Sequence, residues 1–226
     1  MKKQFSLQVD KHVIKGDIMG NVGSCKVFCL HGAGQSNRRR YEQIRKRLFE
    51  EGVSSCAFDF PGHGETGGNL KESSLMERSE VAEKVIRRFD SGEPITIIGA
   101  SMSGYTAVKL LELFRVDQLV LIVPAAYDKE AFELPFNAGF TECIRRKNSY
   151  LNSDAWRILQ SYKGKFLLIT AEKDEVIPEN VIKKYKKSAS HAQVDHMKIN
   201  NVPHKILTIL NDQEVEAIVE RVIYSI

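Results

Sequence analysis

The chain has 226 residues, enough for one domain with a sizeable core, and carries 42% apolar and 27% charged side chains with a formal net charge of +4. No apolar run approaches the roughly 20 residues that cross a bilayer, and no apolar stretch follows the early lysines as a secretory leader requires. No membrane span is expected, the cytoplasm is the expected location, and the basic runs at 38–40 and 183–187 lie on predicted helices without a nucleic-acid-recognition motif.

The chain opens on two predicted strands, Gln4–Val9 and His12–Met19, joined by a short polar turn. Lys26–Leu30 is a continuous apolar run that stops at His31-Gly32, as a strand buried on both faces does. Tyr41, Ile44 and Leu48 recur at helical spacing, Val53–Phe60 is strand-like, and Leu75, Val81, Ala82, Val85, Ile86 and Phe89 mark an amphipathic helix. Pro94–Ile98 reads as a strand and Met102–Phe114 as a helix. Leu119–Val123, Phe166–Thr170 and Val194–Ile199 complete the strands, and a last helix covers Gln213–Tyr224. This alternation implies one domain, 1–226, built on a mostly parallel sheet with helices on both faces.

The connection 125–164 is longer than the roughly 10–15 residues a strand-to-strand crossover needs. Its aromatics, Tyr127, Phe132, Phe136, Phe140, Tyr150, Trp156 and Tyr162, predict a packed insertion at about 125–160 rather than a disordered loop. Cys29 and Cys56 fall in strand-like runs, and Cys25 and Cys143 show no paired spacing, so reduced thiols are expected.

The segment Ile95-Thr96-Ile97-Ile98-Gly99-Ala100-Ser101-Met102-Ser103-Gly104-Tyr105 carries the chemistry. A strand enters Gly-x-Ser-x-Ser-Gly and a helix leaves it, the pattern of a nucleophile elbow. The turn needs small residues two before and two after the serine, and Gly99 and Ser103 meet that need around Ser101. Ser103 stands where glycine is commoner, and it is not itself the nucleophile because Tyr105 is too bulky for its turn. A serine at a helix start has free N–H groups and the helix dipole beside it, so the Met102 amide can receive a developing oxyanion. The bland alternative is a serine that merely caps the helix.

Two further turns share that sheet edge. Leu30-His31-Gly32-Ala33-Gly34 offers the Ala33 amide as a second oxyanion donor, with His31 as a loop-fixing residue. Phe58-Asp59-Phe60-Pro61-Gly62-His63-Gly64 follows the next strand, and structural roles are expected for Asp59 and His63. Gly20–Lys26 lacks the spacing of a phosphate loop, and no metal or organic cofactor is expected.

The His-Gly loop, the Asp-x-x-Gly-His-Gly turn and the Gly-x-Ser-x-Ser-Gly elbow, in that order, resemble the α/β-hydrolase superfamily. Within it the chain is similar to the branch of serine aminopeptidases, monoacylglycerol lipases and feruloyl esterases. The resemblance implies an eight-stranded-type sheet with a small cap insertion and a triad in the order serine, acid, histidine. Asp174, beyond the predicted strand Phe166–Thr170, occupies the acid position, with Glu172 and Glu175 as solvated neighbours. His204, after the last strand, fits the base, whereas His12, His191 and His196 are ordinary. The implied activity is hydrolysis of a small or medium acyl or aryl ester or thioester through an acyl-enzyme. An amidase or peptidase on the same triad, or a non-catalytic binding protein on this scaffold, are the alternatives, and the oligomeric state is left open. The insertion's aromatics either line the acyl pocket or form a core of their own. Arg38, Arg39 and Tyr41 read as a solvated helix start, with an anionic leaving group as the other possible role for one of them.

Overall fold

A computed structural model describes residues 1–224; Ser225 and Ile226, the end of the expected domain, lie outside the described residues. Eight strands form one sheet: β1 (Lys2–Val9), β2 (His12–Met19), β3 (Val27–Leu30), β4 (Ser55–Phe58), β5 (Ile95–Ala100), β6 (Val116–Ile122), β7 (Lys165–Lys173) and β8 (Gln193–Pro203). Their spatial order is β1-β2-β4-β3-β5-β6-β7-β8. β1 and β2 pair antiparallel through a turn in which Asp10 takes a left-handed φ of 48°, and β2 meets β4 antiparallel. All later pairings are parallel.

The continuous apolar runs of β3, β5, β6 and β7 reflect burial on both faces. Alternate residues point to opposite sides, so Phe28, Ile97, Leu119, Leu121, Phe166 and Leu168 join one core, while Val27, Cys29, Ile98, Val120, Leu167 and Ile169 join the other. Helices α1 (Glu42–Glu50) and α7 (Asp212–Ile223) cover the second core with Ile44, Leu48, Val215, Ile218, Val219 and Val222. Each fully buried aliphatic side chain contributes about 1.5–3 kcal/mol, so the stripe of α7 fixes it firmly. A capping box between Asn211 and Glu214 sets where α7 starts.

The first core lies beneath α2 (Leu75–Phe89), α3 (Met102–Leu110), α5 (Ala155–Ser161) and α6 (Glu179–Ser188). The insertion after β6 also holds the short helix α4 (Phe140–Arg145). Its Tyr127, Phe140, Trp156 and Tyr162 are buried continuously with this core, and Tyr105 of α3 stacks edge-on against Tyr127 at 5.7 Å. All four cysteines are buried and free. Among the described residues no helix is long and apolar enough to cross a membrane.

The chain leaves β3 toward β4 on one side and returns to β5 on the other. The carboxyl ends of β3 and β5 therefore flank a topological switch point, where open parallel sheets form their crevices. Leu30 and Gly99 are in register there, which sets the His31–Gly34 loop beside Ser101.

Candidate active site

Ser101 sits between β5 and α3 with φ 50° and ψ −117°, a conformation that costs a non-glycine residue about 1–3 kcal/mol. Neighbouring backbone holds it there: the Ser101 amide donates to the Ile122 carbonyl at 2.9 Å, and its carbonyl accepts from Gly104 at 2.9 Å and Ala125 at 3.0 Å. Glycine is obligatory at 99, because a Cβ would come within 2.4 Å of the Ser103 carbonyl and 2.8 Å of the Ala107 Cβ. Gly32 is tight as well, though less so, its Cβ position lying 3.2 Å from the Ser101 Cβ. Ser101 occupies the N-cap position of α3 yet makes no side-chain cap bond. Its hydroxyl is directed to His204 instead, with Oγ and Nε2 3.0 Å apart.

His204 follows directly on β8, which runs to Pro203 and so carries the ring to the same sheet edge. Its Nδ1 lies 3.0 Å from both oxygens of Asp174. With a carboxylate on that side, Nδ1 carries the proton and Nε2 is free to accept from the serine hydroxyl. Asp174 Oδ1 also accepts from the amides of Val176 and Ile177, both at 2.9 Å. Partial burial pushes its pKa up, but the His204 hydrogen bond and the two amides outweigh this and hold the carboxyl below its ordinary value.

The loop after β3 is anchored from below. His31 is buried, its Nδ1 2.7 Å from the Gly32 carbonyl while Nε2 accepts from the Phe60 amide at 3.1 Å. Burial, followed by the charge of Arg78, keeps it neutral, with a pKa well below the usual value. The neighbouring His63 ring, 4.8 Å away, is pushed down to about 4, mainly by burial. Arg78 of α2 is fully buried, stacks over Phe60 at 3.8 Å, and donates through Nη2 to the His31 carbonyl at 2.7 Å and to Ser103 Oγ at 2.8 Å. Ser103 Oγ in turn donates to the same carbonyl at 2.6 Å. The serine that replaces the commoner glycine is thus part of the loop's anchor. Burial lowers the Arg78 pKa to about 9, and among the described residues its Nε and Nη1 have no hydrogen-bond partner.

The expectation of a solvated helix start at 38–41 holds for Arg39, which is exposed, and is corrected for Arg38 and Tyr41. The segment is a 3-10 turn, and Arg38 is buried, donating to Asp17 at 2.8 Å and pairing with Asp59 and Glu65. Asp59 also accepts the Arg38 and Glu65 amides. Arg45 of α1, equally buried, donates to the other Asp17 oxygen at 2.6 Å and to the Ser55 carbonyl at 3.1 Å. Buried side chains satisfy buried carboxylates here, so Arg38 has no solvated role. Tyr41 is also fully buried, its hydroxyl donating to the Leu30 carbonyl at 2.9 Å.

A cavity of about 330 Å³ opens beside Ser101. Its walls are Gly32 to Ser36, Arg40, Ala100, Val123 and the segment His204 to Thr208. No aromatic of the insertion lines it; those rings are packed in the core. Of the neighbours expected to be solvated, Glu172 accepts the Asn201 amide at 2.9 Å and Glu175 the His204 amide at 3.4 Å. His12 lies 3.1 Å from Glu77, His196 2.9 Å from Thr170 and His191 2.7 Å from the Gln160 carbonyl. In the insertion, Asp128, Glu130 and Cys143 bring donor atoms within 4.8 Å of one another, a spacing that fits a metal ion. Asp128 is already engaged by Asn152 at 2.7 Å and Glu130 by Arg146 at 2.9 Å.

The sequence model of the family described as "Serine aminopeptidase, S33" matches residues 24–151. No curated protein matches the sequence. Among solved structures, the chain is similar to a thioesterase domain from the curacin biosynthetic pathway, with 13% identity over 99% of both chains and a TM-score of 0.76. It is also similar to a monoacylglycerol lipase of Paleococcus ferrophilus, with 18% identity over 94% of this chain and 99% of that one and a TM-score of 0.73. An esterase of Exiguobacterium antarcticum matches at 18% identity over 96% and 97% of the two chains, with a TM-score of 0.70. At these identities the likeness is one of fold, and the fold is that of the α/β-hydrolases.

Proposed function

We propose, from the premise that the chain belongs to the serine aminopeptidase family S33 of α/β-hydrolases, that it cleaves acyl esters or thioesters through Ser101, His204 and Asp174. The observation that carries this reading is the run of 3.0 Å contacts from Asp174 through His204 to Ser101, at the wall of a cavity. His204 Nε2 takes the proton as Ser101 Oγ attacks the acyl carbonyl, and Asp174 holds the ring's tautomer and stabilises the imidazolium. The amides of Met102 and Ala33 receive the oxyanion, at about 3 kcal/mol for each well-placed donor. His204 then returns the proton to the leaving group, and water repeats the cycle on the acyl-enzyme.

An aminopeptidase must hold a protonated amine near the scissile bond, which calls for carboxylates. None lines this cavity, whereas Arg40 and Lys205 do. That composition favours esters and thioesters over aminoacyl substrates. A fluorophosphonate probe should label the wild type and leave Ser101→Ala unlabelled. Asp174→Asn should lower kcat for a 4-nitrophenyl ester by roughly 10³–10⁴-fold. Wild-type rates in Ser101→Ala or His204→Ala would overturn the assignment.

A further inference from the structure

The three consecutive arginines at the end of the β3 loop meet three different fates. Arg38 is enclosed by Asp17, Asp59 and Glu65, and Arg39 pairs with Glu65 at 2.9 Å. Arg40 has no carboxylate partner among the described residues; its Nη2 donates to the Gln35 carbonyl at 3.0 Å, and it lines the cavity beside Ser101. Lys205, which also lines that cavity, follows His204 directly and has no carboxylate within ion-pair reach among the described residues. Glu175, the carboxylate on the Asp174 loop, accepts from the His204 amide. No acidic side chain lines the cavity, and Val123, Ile206 and Leu207 give it apolar walls.

Two uncompensated cations at an apolar cleft set up a positive potential that concentrates anions. The guanidinium donates to Gln35, on the same loop that carries Ala33, and its planar fork suits a carboxylate or a phosphate. Resting on the hydrolase reading above, we propose that the natural substrate is an acyl compound bearing an anionic group. Arg40 and Lys205 receive that group while the scissile carbonyl sits at Ser101.

The test compares kcat/KM for matched pairs at low salt. Mono-(4-nitrophenyl) adipate against 4-nitrophenyl hexanoate puts a carboxylate on the acyl side. 4-Acetoxyphenyl phosphate against phenyl acetate puts a phosphate on the leaving side. In at least one pair the anionic ester should be preferred about tenfold, the scale of hydrogen bonds to a charged group. The preference should fall toward parity in the double variant R40Q K205Q and at high salt, and persist in R39Q, whose arginine lies outside the cavity. Parity of both pairs in the wild type, or an undiminished preference in R40Q K205Q, overturns the proposal while leaving ester hydrolysis intact. Failure to turn over any of the four esters overturns the hydrolase reading as well.

Discussion

Arg78 and Ser103 share one acceptor: both donate to the His31 carbonyl, at 2.7 and 2.6 Å, and they bond to each other at 2.8 Å. The bonds tie helices α2 and α3 to the His31–Gly34 loop beside Ser101. Among the described residues the guanidinium there is buried without a carboxylate, with two of its nitrogens unpartnered. Burying such a charge is costly, and an apolar side chain of similar size often serves stability as well or better. Arg78→Met is therefore expected to keep or raise the unfolding midpoint while kcat falls about tenfold with little change in KM, because the His31 carbonyl loses one of its two side-chain donors and the loop beside Ser101 is held less tightly; tenfold is about 1.4 kcal/mol of barrier. Calorimetry and ester kinetics on the one variant read both quantities. A large drop in melting temperature with full activity would refute the argument.

Gly99 gives a sharper steric expectation. An alanine methyl would press on the Ser103 carbonyl and the Ala107 methyl, neither of which is the free end of a flexible chain. Overpacking of this sort costs typically 1–3 kcal/mol. Gly99→Ala should lower the urea midpoint accordingly and move Ser101 enough to suppress fluorophosphonate labelling. Unchanged labelling and stability would show that the turn has slack.

Acid stability follows from the two buried imidazoles. His63 is held at about 4 and His31 well below the ordinary value of 6.5. Between pH 6.5 and about 4 the unfolded chain binds protons at these sites and the folded one does not, so stability drops as pH falls through that window. The slope is at most about 1.4 kcal/mol per pH unit for each histidine. His63→Gln should flatten the dependence of the urea midpoint across that window; an identical pH profile in wild type and variant would count against burial as the cause.

What the sequence discloses depends on how an element is buried. β3, β5 and β7 are legible as unbroken apolar runs because both faces are covered. β8 is an edge strand with mostly exposed side chains, and its extension to Pro203, the step that delivers His204, carries Val202 alone as an apolar mark between Asn200, Asn201 and the proline. β6 begins at Val116 rather than at 119 because Asp117 interrupts the pattern. The elbow could be named from spacing and Asp174 and His204 from resemblance, and the structure brings the three together. The buried arginines could not be read from charge, which normally signals solvent. Position was the available clue. Arg78 continues the stripe of Leu75, Ala82, Val85 and Phe89, and Arg45 that of Tyr41 and Leu48. A charge at a core-facing position demands a buried partner, and that demand distinguishes Arg45 from its exposed neighbours.

The missing cap bond at the start of α3 has a consequence for durability. A serine in that position usually steadies its helix by about 1 kcal/mol, and a left-handed backbone is more comfortable for glycine. This chain forgoes both. Ser101→Gly is accordingly expected to melt at a higher temperature than the wild type while losing ester turnover. Pressure for robustness alone, in the laboratory or in a lineage that no longer uses the reaction, would thus wear away the hydroxyl first and leave a hardier, inert scaffold.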